Sequence, residues 1–430
     1  MKLPVVLGAM QLLKSFSIYT IATFINRGMG LVLAPILSAY LDKAEWGTLA
    51  LLNNYILLTA ILLETGSKAA VSVQYFELEG RSFSDYFSTA FVTPGVLFVG
   101  VLLLALVFNE PLAAWMQMPP IWVVLTVIMA LSQMLNEQCL NIFRLRDEAQ
   151  WFGLFSIALS VLNFGVSLWL VIGLDWSWEG RATGMAISYA VFAAISLVVF
   201  LRQGFFTFRF RKSYLRHALI FGIPLIPHRI GAFVVEYSDK EFIDKMVSRA
   251  ELGVYDMGYK VGMGMQIMVI AFSLAFLPFL FESLKKLDWN RQLQVVRISY
   301  GFVGAMLLAL GLLTLAAPYI FEFIFDPKFY EGYQYVFWVG LGYLFYGVYN
   351  IFANYIHYSG KTYIFTLLAI PNVGLNLALN YYLIQAYGAM GAAYATVISY
   401  FVTMLLTIII AHRLYPMPWF SKEVWQFKWR

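Results

Sequence analysis

Residues 84–108 read SDYFSTAFVTPGVLFVGVLLLALVF, and Asp85 carries the only charge in this stretch. As a helix these residues would extend about 37 Å, which exceeds the hydrocarbon core of a bilayer, about 30 Å thick. Similar apolar stretches fill most of the 430-residue chain. With this one they number twelve: 15–38, 46–66, 84–108, 120–142, 150–173, 181–201, 216–237, 252–281, 297–317, 332–356, 362–384 and 390–412. The sequence therefore predicts an all-α polytopic membrane protein with twelve transmembrane helices and no soluble domain.

The composition agrees with a membrane protein and narrows the expected partners. Hydrophobic residues make up 61% and charged residues 12% of the chain, whereas soluble domains carry about 25% charged residues. The net charge of +5 follows from the basic connectors described below, so no nucleic-acid partner is expected. The four His residues and the single Cys139 lack metal-ligand spacing. We therefore expect no metal site and interpret Cys139 as a buried apolar side chain.

Basic residues are distributed unevenly over the connectors between the spans. With a cytoplasmic N-terminus, twenty Lys and Arg fall on the inner side and six on the outer side, among them Lys240 and Lys245 in a connector at about 238–251. Basic residues near span ends stay in the cytoplasm, so both termini are predicted to be cytoplasmic. The opening segment lacks a small-residue cleavage site, and we expect the first span to be retained. The basic block 202–216 would face anionic lipid head groups.

The two halves of the chain repeat one another. KAEWG at 43–47 opens the second span, and RAELG at 249–253 opens the eighth, 206 residues later. Two further sets match at offsets of 209 and 211: Asn163 and Gly165 with Asn372 and Gly374, and Gly180, Gly184, Ser188 and Tyr189 with Gly391, Ala395, Ser399 and Tyr400. Three matches at nearly one offset indicate a tandem duplication.

The duplication predicts the domain organisation. Because six spans separate equivalent positions, both halves enter the membrane from the same side and form parallel repeats. We expect an N-terminal six-helix lobe at 1–205, a C-terminal six-helix lobe at 206–413 and an interfacial cytoplasmic tail at 414–430. Two such lobes would enclose a central cavity that rocking exposes to either face, which is a transporter architecture.

The end of the C-terminal half resembles a known family. Residues 372–384 read NVGLNLALNYYLI and residues 387–396 read YGAMGAAYAT. These segments are similar to the eleventh-to-twelfth span signature of the polysaccharide biosynthesis, or O-antigen (Wzx-type) flippase, family. That family belongs to the multidrug/oligosaccharidyl-lipid/polysaccharide exporter superfamily, so the resemblance implies a MATE-like fold. Shorter similarities add support in both halves: FRLR at 143–146, AELGVY at 250–255 and GKT at 360–362.

The resemblance also implies an activity. Members of the family are flippases that move an undecaprenyl-pyrophosphate-linked oligosaccharide from the cytoplasmic to the periplasmic leaflet of the bacterial inner membrane. The product would enter O-antigen, and thus lipopolysaccharide, or another surface polymer. The implied partners are this lipid-linked oligosaccharide, membrane lipids and the polysaccharide assembly machinery, and no enzymatic activity or cofactor is implied.

Three basic residues lie near mid-depth in their spans: Arg27, Arg229 and Lys260. An intramembrane charge persists where water, a counter-charge or a ligand compensates it. Arg27 and Arg229 are repeat partners at offset 202, and the resemblance implies that spans one, two, seven and eight line the cavity. Because guanidinium and ammonium groups suit phosphate, we hypothesise that these residues hold the pyrophosphate. Alternatively they pair with intramembrane carboxylates, and Asp256 lies one turn from Lys260.

Other polar residues in the spans leave alternatives open. Glu64, Glu137 and Asp256 are candidates for proton or sodium coupling, although Glu64 is close enough to a membrane face to be solvated. Asn376 and Asn380 share a helical face with Asn372 and either bond neighbouring helices or line a wet cavity.

Three functional classes remain. A lipid-linked oligosaccharide flippase is favoured. An ion-coupled small-molecule antiporter of the multidrug type shares the architecture, but it would need an anionic cavity to attract cationic drugs. A membrane enzyme would need a catalytic constellation, and the longest outer connector, about 238–251, holds alternating charges without one.

Overall fold

The computed structural model describes residues 3–207, 209–286, 288–361 and 363–425, except for the side chains of residues 3–16, 27, 31 and 228. All regular structure in these ranges is helical. The helices are α1 (Leu3–Ser38), α2 (Lys43–Glu64), α3 (Ser67–Glu77), α4 (Gly80–Ala90), α5 (Val92–Val107), α6 (Asn109–Met116), α7 (Ile121–Leu145), α8 (Ala149–Leu168), α9 (Ser177–Arg202), α10 (Lys212–Gly222), α11 (Leu225–Met246), α12 (Arg249–Gly262), α13 (Gly264–Lys285), α14 (Trp289–Phe323), α15 (Tyr333–Ser359), α16 (Tyr363–Tyr387) and α17 (Ala389–Leu414). Short helical turns follow at Trp169–Gly173, Pro327–Gly332 and Lys422–Trp425.

The predicted number of spans is confirmed. Twelve helical segments within the described ranges are long and apolar enough to cross a membrane. Three of them consist of two consecutive helices, namely α4 with α5, α10 with α11, and α12 with α13. The break between α10 and α11 contains Pro224, which lacks a backbone N–H and cannot continue the helical hydrogen-bond ladder. This break places Arg229 in the first turns of α11.

The prediction of a long outer connector at 238–251 is wrong. Helix α11 continues to Met246, and α12 begins at Arg249. Ser248 is the N-cap of α12, and its hydroxyl accepts a hydrogen bond from the backbone N–H of Glu251 at 3.1 Å. The alternating charges suggested a solvated loop, but on a helix Asp239, Lys240 and Asp244 are all buried.

The chain forms two compact units. Unit 1 consists of Met1–Leu41 and Thr48–Ile230, and unit 2 of Asp42–Gly47 and Gly231–Arg430. The lobe boundaries derived from the sequence, 1–205, 206–413 and 414–430, stay a prediction. Residues 426–430 of the expected tail lie outside the described residues.

Each unit has its own aromatic and apolar core. In unit 1, Phe155 of α8 packs edge-on against Phe192 of α9, with ring centroids 4.9 Å apart. In unit 2, α15 packs against α12, α13, α14 and α17. Gly347 permits the close approach of α15 to α13, because a Cβ there would lie 3.1 Å from the Val269 side chain. Helix α15 therefore packs directly against α12, which carries the charged residues Asp256 and Lys260.

Candidate functional site

Asp256 of α12 lies at the centre of a buried charge cluster in unit 2. Its Oδ1 accepts a hydrogen bond from the ammonium of Lys240 at 2.6 Å. Its Oδ2 accepts from the ammonium of Lys260 and, at 3.0 Å, from the indole N–H of Trp46. Buried carboxylates are stable when ionised only if paired and hydrogen-bonded, and here three donors satisfy one carboxylate. Asp256 and Lys260, which lie one helical turn apart in the sequence, thus form an ion pair.

Lys260 differs from Lys240 in its access to the surroundings. The Lys260 side chain is 33% exposed, whereas the Asp256 side chain that holds it is 2% exposed. The Lys260 ammonium also lies 4.6 Å from the centre of the Trp46 ring, within cation–π range. Lys240, by contrast, is buried. Lys260 is therefore the accessible cation of the cluster, and Lys240 is its internal partner.

A second buried carboxylate completes the cluster. Asp239 accepts a hydrogen bond from the Tyr255 hydroxyl at 2.5 Å and from the backbone N–H of Lys240 at 2.8 Å. The two lysines and two aspartates sum to zero formal charge. Two buried tyrosines adjoin it: the Lys240 ammonium lies 5.3 Å from the centre of the Tyr259 ring, and the hydroxyls of Tyr259 and Tyr343 are 2.9 Å apart. The cluster is thus a balanced ionic network with one accessible cation.

The two copies of the repeated pentapeptide contact one another within unit 2. A Cβ on Gly47 would collide with the Arg249 carbonyl oxygen, and one on Gly253 would collide with the Lys43 carbonyl oxygen. Glycine at both positions lets the two backbones touch. This contact brings Trp46 against α12, where its indole reaches Asp256.

Arg229 and Glu64 form an ion pair in unit 1. The guanidinium Nη1 lies 2.5 Å from Glu64 Oε2, with the Arg229 side chain 37% exposed and the Glu64 side chain 11% exposed. The turn after α2 brings Glu64 near Arg229. In this turn Gly66 has a φ of 73°, and its backbone touches that of Gly222, which precedes Arg229 in the chain. The idea that Glu64 is solvated near a membrane face is wrong, since the structure buries it beside Arg229.

Glu137 belongs to an exposed pair instead of a buried site. Its carboxylate lies 2.7 Å from the Lys68 ammonium, and half of the Glu137 side chain is exposed. The neighbouring Asn136 and Asn141 bond other helices, with the Tyr189 carbonyl and the Ser72 hydroxyl as their acceptors.

Asn376 and Asn380 are fully buried in unit 2. Asn376 donates to the Ser399 hydroxyl at 3.2 Å and accepts from Asn380 at 3.1 Å and from Ser238 at 3.3 Å. Of the two alternatives, the structure favours bonding between helices over lining a wet cavity.

The remaining expectations concern Arg27 and metals. The Arg27 side chain lies outside the described residues, so its role and its pairing with Arg229 stay predictions. Across the part of the chain that the structure describes, no group of three or more His, Cys, Asp or Glu side chains is arranged to hold a metal ion.

Sequence reasoning missed Trp46 and Lys240. The alternating charges predict an outer loop for Lys240, although its spacing of four from Glu236 and Asp244 is typical of one helical face. Trp46 aligns with Leu252 in the repeat, and nothing in that alignment indicated a hydrogen bond to Asp256.

The chain is similar to a known protein family and to two proteins of Haemophilus influenzae. A family model described as "Polysaccharide biosynthesis protein" matches residues 12–284. An uncharacterized membrane protein of Haemophilus influenzae is 24% identical over 371 residues, covering 82% of this chain and 85% of that protein. The Lsg locus putative protein 1 of the same organism is 23% identical over 282 residues, covering 64% and 68%.

Solved structures show the fold. The inward closed conformation of the lipid II flippase MurJ has a TM-score of 0.74 at 15% identity, covering 91% of this chain and 87% of that one. An inward-facing multidrug resistance MATE transporter of the MOP superfamily has a TM-score of 0.73 at 13% identity, covering 90% and 94%. These similarities confirm the MATE-like fold class.

Proposed function

Because the chain belongs to the polysaccharide biosynthesis protein family, we propose that it is a flippase for an undecaprenyl-pyrophosphate-linked oligosaccharide. It would move this lipid from the cytoplasmic to the periplasmic leaflet of the bacterial inner membrane, with both termini cytoplasmic. The multi-pass membrane architecture and the family support this proposal. The oligosaccharide would then pass to polysaccharide assembly machinery for O-antigen, as part of lipopolysaccharide, or for another surface polymer.

The relative exposure of the ion-paired residues is the observation that carries the proposal. In both pairs the carboxylate is buried and the cation is accessible: 11% against 37% for Glu64 and Arg229, and 2% against 33% for Asp256 and Lys260. Each carboxylate therefore holds its partner from the inner side and leaves positive charge toward an approaching ligand. Diphosphate is a suitable ligand, because charge-assisted hydrogen bonds from guanidinium and ammonium groups to phosphate are strong.

The two cations would respond differently to a phosphate. When Lys260 turns to a phosphate oxygen, Asp256 keeps Lys240 and the Trp46 indole as partners and stays ionised. Arg229 supplies the ion pair of Glu64. If Arg229 turns to a phosphate, the buried Glu64 carboxylate loses this partner. Because substrate binding would remove this partner from Glu64, whereas Asp256 would keep two, Glu64 is the residue that we propose for coupling to a proton or sodium ion, in preference to Asp256.

The antiporter alternative is distinguished by charge and not by fold. The lipid II flippase and the multidrug transporter resemble this chain almost equally, with TM-scores of 0.74 and 0.73. A carrier of cationic drugs would present accessible carboxylates, whereas Arg229 and Lys260 present cations. We therefore favour an anionic lipid-linked substrate and assign no enzymatic step to the chain.

A genetic experiment tests this function in cells. Deletion of the gene that encodes this chain should abolish the surface glycan. Carrier-linked oligosaccharide should then accumulate on the cytoplasmic side of the inner membrane. Unchanged surface glycan together with increased sensitivity to cationic drugs would contradict the proposal and favour the antiporter.

A further inference from the structure

An apolar groove lies on unit 2, apart from the charge cluster. Helices α14, α15 and α17 form its walls, with Val303, Val348 and Ile408 among the lining residues. Its volume is about 620 Å³. All three helices are membrane-spanning segments, so this groove opens where lipid chains are the solvent.

The segment after α17 closes one end of the groove. Trp419 and Phe420 line this end. The Trp419 carbonyl accepts a hydrogen bond from the Tyr300 hydroxyl at 2.8 Å. Further along the segment, Arg297 of α14 donates to the backbone carbonyls of Glu423 and Val424 at 2.6 and 2.9 Å. These bonds fix the tail against α14 and give the groove a defined end wall.

A positive charge, that of Arg413, lies at this same end. His412 and Arg413, in the last turn of α17, line the groove there. Arg413 is exposed, and it makes no ion pair with any other residue in the described ranges. An unpaired arginine beside tryptophan at the end of an apolar groove matches the head-group level of a lipid, where both residue types are stable.

We propose that the groove binds an anionic phospholipid of the leaflet at the Arg413 end of α17, with one acyl chain in the groove and its phosphate on Arg413. A methylene group takes about the volume of a water molecule in the liquid, about 30 Å³, so the groove holds roughly 20 carbons, the length of one acyl chain. A carrier with eleven isoprene units has about 55 carbons and would need more than twice this volume. The occupant is a phospholipid whose first acyl chain fills the groove while the second stays in the bilayer, and the charge of Arg413 selects an anionic head group.

Trp419 is a natural reporter for this site. The purified full-length protein would be placed in vesicles containing phosphatidylglycerol or phosphatidylcholine with brominated acyl chains, which quench nearby tryptophans. The Trp419 signal is the difference between the parent and Trp419→Phe. We expect half-maximal quenching at a lower mole fraction of phosphatidylglycerol than of phosphatidylcholine. Arg413→Gln should raise the value for phosphatidylglycerol about fivefold, as expected for one basic residue near an anionic surface.

Two further variants control for folding and position. Arg202→Gln removes an exposed arginine at the end of α9, outside the groove, and should leave the quenching unchanged. Val348→Phe should fill the groove and lower quenching by both lipids. Equal quenching by the two lipids, unaffected by Arg413→Gln, would overturn the proposal. Protection of Trp419 by undecaprenyl phosphate but not by unbrominated phosphatidylglycerol would also overturn it. This site is independent of the proposed transport activity, so either can fail alone.

Discussion

The ammonium of Lys240 lies 2.6 Å from the carboxylate of Asp256, and both side chains are buried within unit 2. Lys240 thus supplies a permanent counter-charge from inside the protein, while Lys260 meets the same carboxylate from the accessible side. One aspartate thus pairs with a buried lysine and with an accessible one, and only the accessible lysine is proposed to bind the substrate.

Asp256→Asn should destabilise the protein. It leaves two lysines without their carboxylate, and loss of one partner of a buried pair costs about 3–5 kcal/mol. We expect a lower melting temperature in detergent and lower membrane abundance. The control is Glu331→Gln, which removes an exposed partner of Lys43 at 3.8 Å and should cost at most about 1 kcal/mol. Equal stability of the two variants would contradict a structural role for Asp256.

Lys260→Met and Lys240→Met should separate function from stability. Lys260→Met should abolish glycan export at near-normal membrane abundance, because Asp256 keeps Lys240 and Trp46 as partners. Lys240→Met should reduce abundance, since it removes the buried counter-charge. Immunoblotting of membranes beside surface-glycan staining measures both. Reduced abundance of Lys260→Met with normal export per molecule would show that its role is structural.

Arg229→Ala should abolish export, and Arg229→Lys should retain part of it, because lysine keeps the charge without the planar donor fork. Arg229→Ala also leaves Glu64 buried without this arginine, which should lower membrane abundance. The double variant with Glu64→Gln should recover the abundance but not the export. Arg202→Ala, at an exposed position, is the matched control. Full export by Arg229→Ala would remove this residue from the phosphate-binding set.

Gly253→Ala should weaken the contact between the two repeat copies, since its Cβ would collide with the Lys43 carbonyl oxygen. Trp46 would then shift from Asp256, which changes the tryptophan fluorescence and lowers thermal stability. Gly304→Ala on α14 is the control, because nothing lies within 4 Å of its added Cβ, and alanine favours a helix by about 1 kcal/mol. Identical melting temperatures for both variants would contradict the contact.

The sequence alone predicts the spans and the family, because hydropathy and local motifs depend on residues that are close together in the chain. It could not identify Glu64 as the partner of Arg229, since 165 residues separate them and only the tertiary fold brings them together. The wrong prediction of a loop around Lys240 has a different reason. Alternating charges are typical of a solvated loop, and only the structure shows that α11 continues through them. The contact of Gly47 with Arg249 was likewise invisible, although the repeat that contains both was recognised.

Flipping in reconstituted vesicles tests the central claim most directly. The purified protein would be placed in proteoliposomes with a fluorescent undecaprenyl-pyrophosphate-linked oligosaccharide, and a membrane-impermeant reductant would report the fraction of label reaching the outer leaflet. We predict that the parent protein transfers inner-leaflet label and that Lys260→Met and Arg229→Ala, reconstituted at equal amounts, do not. Transfer no faster than in protein-free vesicles, or equal transfer by both variants and the parent, would contradict a flippase that binds its lipid phosphates through these cations.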